Sequence, residues 1–208
     1  MHLGVDIGGT DIKFGVVNAE GRIVARAAVP TPKTSAEAVA DAVAAGVKQL
    51  SAAFPAETVG VGTPGIVAPD GRVSAANLPF ADTPLADLIA ARIGRTAALG
   101  NDANCAALGE AAAGGEDDLL LVTLGTGVGG GIVTGGKPVV GAHGGAGEIG
   151  HMCIRVGGRA CPCGKRGCFE QYASASALTA AAEAAAAAHP DSLLAVYARD
   201  GMDGKVFF

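Results

Sequence analysis

The 208-residue chain lacks several things at once, and each absence removes a class of function. Its 15 lysines and arginines are scattered and are outnumbered by 20 acidic residues, for a net charge of -5. That leaves no electrostatic footprint for nucleic acid or an anionic membrane, so neither is expected as a partner. No apolar run reaches the roughly 18 residues of a spanning helix, and "MHLGVDIGG" lacks a basic stretch followed by a long apolar one. The expected location is therefore the cytoplasm. There is no Walker A loop, no strand-to-helix GxGxxG and no C-x-x-C redox pair. Nor is there a flexible linker. The five cysteines are odd in number, and a reducing compartment disfavours pairing them, so metal binding gains over a disulfide framework.

What the chain does have is apolar residues, 50% of the total, enough for one large or two small domains with a core. It also has 33 glycines, well above the usual share of about 7%. They cluster without a period, as in ligand-cradling turns rather than collagen-like or linker sequence. "HLGVDI" and "IKFGVVNAEGRIVARAAV" read as an antiparallel meander turned at Gly8-Gly9 and at Glu20-Gly21. Ser35 and Glu37 open a helix with Val39, Val43, Val47 and Leu50 at helical spacing up to Phe54. "TVGVGTPG", "GRVSAAN" and "RTAALG" read as strands, "PLADLIAARIG" and "DANCAALGEAAAG" as helices. "DLLLVTLG" and "VGGGIVTGG" then restart the opening pattern, and "SASALTAAAEAAAAAHP" closes it with helix-forming alanine. The expected architecture is a two-domain α/β protein divided at Gly114-Gly115, with residues 1–114 and 115–208 as domains and a ligand cleft between them.

Three stretches carry chemistry. In "DIGGTDIK" and "LGTGVGGG", glycine turns let backbone N–H groups face phosphate oxygens, although each alone is also an ordinary glycine hairpin. Two such hairpins, each opening one domain, can grip a polyphosphate from both sides. In "GNDANCAALGE", Asp102 stands at a helix start after an apolar strand. There it serves either as a helix cap or as the acceptor of a hydroxyl proton, with Asn101 beside it to hold that hydroxyl. In "GHMCIRVGGRACPCGKRGCFEQ", His151, Cys161, Cys163 and Cys168 supply one nitrogen and three sulfurs, a set suited to a closed tetrahedral zinc site across residues 151–168. Cys153 is a rival fourth ligand. Cys105 reads as a small buried hydrophobe of its helix.

With these residues in hand, the chain resembles the ROK family (repressors, open reading frames, kinases) of sugar kinases. The matching motifs run in order from "DIGGT" through "GTPG", "NLP", "NDAN" with "ALGE", "LGTGVGGGI" and "EIGH" to "CPCGKRGCFE", so the likeness extends from Gly4 to about Ser176. The resemblance implies the actin-like, hexokinase-like (ribonuclease H-like) two-domain ATPase fold with an interdomain cleft. It implies phosphoryl transfer to a hexose or N-acetylhexosamine, glucose most simply, with N-acetylglucosamine and N-acetylmannosamine as alternatives. By position, Asp102 is the catalytic base, and Gly65, Asn101, Glu148, His151 and Glu170 join it around the sugar. Asp6, Gly8, Gly9, Thr10 and Lys13 face the phosphates and magnesium, as do Gly125, Thr126, Gly127, Gly129, Gly130 and Gly131. His151, Cys161, Cys163 and Cys168 hold structural zinc, which splints the loop that carries the sugar contacts. The donor is ATP with magnesium; polyphosphate stays open.

The resemblance also implies a longer protein, with an adenosine-binding segment and a further helix past "DGMDGKVFF". The apolar ending Val206-Phe207-Phe208 adds to the expectation of a truncated or frame-shifted second domain, which weakens nucleotide binding more than sugar recognition and leaves apolar surface on the last helices, favouring a homo-oligomer or a marginally stable monomer. A non-catalytic sugar-binding module is the alternative to an enzyme. A repressor would need a DNA-binding segment ahead of the first strand, and Met1 leads directly into that strand.

Overall fold

The computed structural model describes residues 1–198; Val206, Phe207 and Phe208 lie outside them. The opening meander follows the alternation of its sequence: β1 (His2–Ile7), β2 (Asp11–Val17) and β3 (Ile23–Pro30) pair antiparallel. Leu3, Val5 and Ile7 on β1, with Ile12, Phe14 and Val16 on β2, fall on one face by the two-residue period and are buried. Helix α1 (Ala36–Ala53) starts where Ser35 accepts the Ala38 N–H at 3.1 Å, and Val39, Val43, Val47 and Leu50 join the same core.

Strand β4 (Thr58–Thr63) lies parallel to β1. Next come β5 (Ile66–Val67), β6 (Val73–Ala75) and β7 (Phe80–Thr83), a small sheet of their own where the sequence pattern marked one strand. Two- to four-residue strands leave no alternation to read. Helix α2 (Leu85–Ile93) ends at Gly94 in the left-handed region, and β8 (Ala98–Asn101) pairs parallel with β4. The main sheet thus has the order β3-β2-β1-β4-β8.

Helix α3 (Asp102–Gly114) is closed by Gly115, also left-handed. Ala107 and Ala111 on it are buried together with Val133, and Leu119 and Leu121 pack against them. Those last three residues belong to β9 (Leu119–Leu124) and β10 (Val128–Thr134), which with β11 (Lys137–Pro138) form a third sheet, ordered β11-β10-β9. A 3₁₀ turn at Ile149–His151 leads into the cysteine loop. Helices α4 (Glu170–Ala173), α5 (Ala175–Ala188) and α6 (Leu193–Ala198) follow, and Ser174 caps α5 by accepting the Ala177 N–H at 3.1 Å.

By contacts the chain forms two compact units that are interleaved in sequence. The first comprises Met1–Leu121 and Gly131–Gly147, the second Val122–Gly130 and the chain from Glu148 onward. Gly114 and Gly115, where the sequence suggested a boundary, end α3. The first unit holds the large apolar cluster. In the second, the buried apolar residues among those described are few: Val128, Cys161, Cys168, Ala182 and Ala186. On β9, Leu120, Val122 and Leu124 share one face and are 62%, 45% and 64% exposed. No helix among the described residues is long and apolar enough to cross a membrane.

Candidate active site

In the first unit, β1, β4 and β8 run parallel and end side by side, and it is at such carboxyl ends that open α/β sheets bind ligands. Register places Lys13, Asp6, Gly62 and Gly100 in one lateral row: Lys13 opposes Asp6, Asp6 opposes Gly62, and Gly62 opposes Gly100. Gly62 lies against the head of α3, where a Cβ would stand in ordinary contact at 3.5 Å from the Asp102 Cα. Loss of surrounding water raises the Asp6 carboxyl above its ordinary range. Lys13 across the strand pair opposes the rise and the charge of Asp102 adds to it.

The cap of α3 falls on Asn101, one residue before the position read from sequence. Asn101 has the extended backbone of a cap (φ -63°, ψ 142°), and its Oδ1 accepts the Asn104 N–H at 3.1 Å. Its Nδ2 donates to the Gly65 carbonyl at 3.0 Å. Gly65 itself sits at φ +91°, where a side chain would run into the Ser74 carbonyl. Asp102 is thereby relieved of capping: Oδ1 accepts its neighbour Ala103 N–H at 2.8 Å, and Oδ2 has no hydrogen bond among the described residues. A pocket of about 390 Å³ opens beside Asn101, lined by Val67, Asp70, Leu99, Asn104 and Gly144 among others. Cys105 is exposed rather than buried, because Ala103, Ala107 and Ala111 take the inward face of α3.

The first glycine turn is held from behind. The Gly8 N–H donates to the Asp11 carbonyl at 2.9 Å, and Thr31 brackets the turn through its hydroxyl to the Gly8 carbonyl and its N–H to the Thr10 carbonyl, both 2.8 Å. The Lys33 ammonium bonds the Gly9 carbonyl. Lys33 carries positive charge to this turn from 24 positions away, so no local motif could mark it.

In the second unit, Gly125, Thr126 and Gly127 form the turn between β9 and β10, whereas Gly129 and Gly130 lie within β10. Gly131, also in β10, belongs to the first unit, where it packs on Ala103 and Ala107 of α3. The turn is tied to the helices by the Ala175 N–H, which donates to the Gly125 carbonyl at 2.9 Å. A Cβ on Gly127 would stand 2.7 Å from Glu170 Oε2. Glu170 Oε1 accepts from Cys161 Sγ at 3.0 Å and from Gln171 Nε2 at 3.1 Å, and lies 3.7 Å from His151 Nδ1. Glu148 precedes the 3₁₀ turn, where its carbonyl accepts the His151 N–H at 3.1 Å.

The ligand atoms of His151, Cys161, Cys163 and Cys168 all lie within 4.8 Å of one another, a group able to hold one metal ion. Cys153 is outside this group and donates to the Arg166 carbonyl at 3.5 Å. Burial first, then the Glu170 carboxylate, pushes the Cys161 thiol up to about 12, and burial raises Cys168 as well. The Lys165 N–H lowers Cys163. Thiolates crowded in this way need a cation to replace their protons, and one nitrogen with three sulfurs suits tetrahedral zinc.

A glucokinase of Streptomyces coelicolor is 40% identical over 215 residues, covering 99% of this chain and 68% of the relative. An N-acetyl-D-glucosamine kinase of Salmonella typhimurium is 42% identical over 193 residues, covering 84% of this chain and 63% of the relative. The chain thus spans about two thirds of the length of these relatives. Among solved structures, a ROK family glucokinase from Streptomyces griseus in complex with glucose and AMPPNP superposes with a TM-score of 0.84 at 42% identity, covering 98% of this chain and 68% of that one. The α/β architecture is therefore that of the actin-like sugar kinases. A model of the ROK family also matches residues 2–205, and the chain belongs to that family.

Proposed function

We propose that this chain is a sugar kinase that moves the γ-phosphoryl group of ATP, with magnesium, onto a hexose hydroxyl, glucose first. The observation that carries the reading is the free Oδ2 of Asp102, at the head of α3 and on the glycine-lined end of the sheet that also holds Asp6. A sugar hydroxyl is a weak nucleophile near neutral pH. Asp102 takes its proton as the new phosphorus–oxygen bond forms and the bond to ADP breaks, a contribution of about 10² to 10⁴ in rate. Asn101 and Gly65 position the sugar from the same side, while Glu148, His151 and Glu170 are its further hydrogen-bonding partners. Asp6, Lys13 and the turn at Gly8, Gly9 and Thr10 meet the magnesium and phosphates; Gly125 to Gly131 offer the second set of backbone groups.

Zinc on His151, Cys161, Cys163 and Cys168 supplies no reaction chemistry; when bound, it cross-links the loop. Through that loop Glu170 and His151 keep their positions, and Glu170 touches both the cysteine cluster and the Gly127 turn. The protein acts in the cytoplasm. N-acetylglucosamine is the second candidate substrate, favoured by the identity to the Salmonella enzyme. The test is incubation with ATP, magnesium and a panel of hexoses and N-acetylhexosamines, with sugar phosphate and ADP measured together. Both products from glucose support the reading. Saturable sugar binding with no ADP above background overturns it in favour of a non-catalytic sugar-binding module.

A further inference from the structure

Cys153 is the cysteine that the zinc site leaves over, and its surroundings give it a partner. It forms an isolated antiparallel bridge with Cys168. The flanking hydrogen bonds run from the Ile154 N–H to the Gly167 carbonyl and from the Phe169 N–H to the Met152 carbonyl, both 2.9 Å. This pattern makes Cys153 and Cys168 the closely spaced, non-hydrogen-bonded kind of cross-strand pair. Cα atoms in such a pair stand about 4.5 Å apart with both side chains on the same face. That separation lies within the range a disulfide spans, about 4.4 to 6.8 Å. Gly167 brings the neighbouring strand close, since a Cβ there would lie 3.3 Å from Cys153 Sγ. The two thiols differ in access: Cys153 is exposed and Cys168 is fully buried within the metal-binding group.

We propose that Cys153 and Cys168 form a reversible disulfide under peroxide, and that this modification dismantles the metal site. Hydrogen peroxide transfers one oxygen to the exposed Cys153 sulfur, giving a sulfenic acid and water. The Cys168 thiolate then attacks the sulfenic sulfur; the S–O bond breaks and the hydroxide leaves as water with a proton taken from solvent. Both sulfurs are oxidised by one electron each and the peroxide is reduced by two. A disulfide sulfur is no longer a thiolate ligand, so the set falls from four donors to His151, Cys161 and Cys163, and zinc is released. A small thiol such as dithiothreitol restores the pair by exchange. The metal-release half of the inference rests on the zinc reading above; the pairing half does not.

The experiment uses the full chain, treated with graded hydrogen peroxide and then blocked with a thiol alkylator. Trypsin cuts at Arg155, Arg159, Lys165 and Arg166, so a Cys153–Cys168 link survives as two joined peptides; Cys105 shares the first peptide because the Lys137–Pro138 bond is not cut, and fragmentation of the joined pair assigns the link to Cys153. Released zinc is followed in parallel with a chromogenic chelator. Expected is a predominant Cys153–Cys168 link that disappears with dithiothreitol, with zinc released in step. Cys153→Ser, at an exposed position, keeps its metal and slows release several-fold at the same peroxide dose. A predominant link within Cys161, Cys163 and Cys168 overturns the pairing. Equal release rates from the parent and Cys153→Ser overturn the switch, and a chain purified without zinc is still decided by the peptide map.

Discussion

Asn101 joins two functional segments through one side chain: its Nδ2 donates to the Gly65 carbonyl at 3.0 Å while its Oδ1 caps α3 on the Asn104 N–H at 3.1 Å. The turn at Gly65 and the helix that presents Asp102 are therefore set by the same amide. Asn101→Ala removes the cap and the tether together. The cap alone is worth about 0.5 to 2 kcal/mol, so chemical denaturation should find a loss of at least that order. The KM for sugar should also rise, and a variant with unchanged KM shows that the tether does not position the site.

Asp102→Asn separates binding from chemistry. Asparagine keeps an oxygen to accept the Ala103 N–H but cannot take up a hydroxyl proton. Turnover should fall by about 10² to 10⁴ while the dissociation constant for glucose, read by calorimetry, changes little. A variant that keeps a tenth or more of the parental turnover is incompatible with the base assignment.

Asp6 gives a pH-dependent stability. Its carboxyl is raised in the folded state, chiefly by desolvation. The ionised form therefore costs the fold stability once the pH has risen above the folded value. Below the unfolded carboxylate value, where Asp6 is protonated in both states, that cost vanishes. Asp6→Asn should melt at a higher temperature than the parent near neutral pH, the two curves should converge on acidification, and turnover should fall if Asp6 has the proposed role toward magnesium. A lower melting temperature for Asp6→Asn at neutral pH would falsify the desolvation account.

The metal prediction is about one zinc per chain in protein purified without added metal, measured by elemental analysis. Cys161→Ser should lose most of it and weaken glucose binding, because Glu170 Oε1 lies 3.0 Å from Cys161 Sγ and 3.7 Å from His151 Nδ1, so its position depends on the metal-bound loop. Full glucose affinity in a zinc-free variant would show that the loop holds its shape unaided.

The exposed apolar row of Leu120, Val122 and Leu124 on β9, an edge strand of its sheet, predicts self-association. Sedimentation should reveal a concentration-dependent oligomer, and Leu124→Lys should shift it toward monomer. An unchanged distribution places the interface elsewhere.

Local pattern was enough to determine much of this protein. The two-residue alternation of "HLGVDI", the 3.6-residue spacing from Val39 to Leu50 and the Ser35 cap all reappear as β1, α1 and its N-terminus, because each signal lies within one turn or one strand. The ordered motifs from "DIGGT" to "CPCGKRGCFE" were likewise sufficient to indicate the family that the comparisons establish. Tertiary structure alone decided the rest. It moved the α3 cap from Asp102 to Asn101, which depends on the backbone leaving β8. It exposed Cys105 by turning α3 so that its alanines face inward, and it set Gly131 of β10 against Ala103 and Ala107 of α3. It also brought Lys33 to the Gly9 carbonyl and set Cys153 opposite Cys168. These relationships join residues distant in sequence, such as Lys33 and Gly9 24 positions apart, or hinge on the rotation of a helix, and no short-range periodicity encodes either.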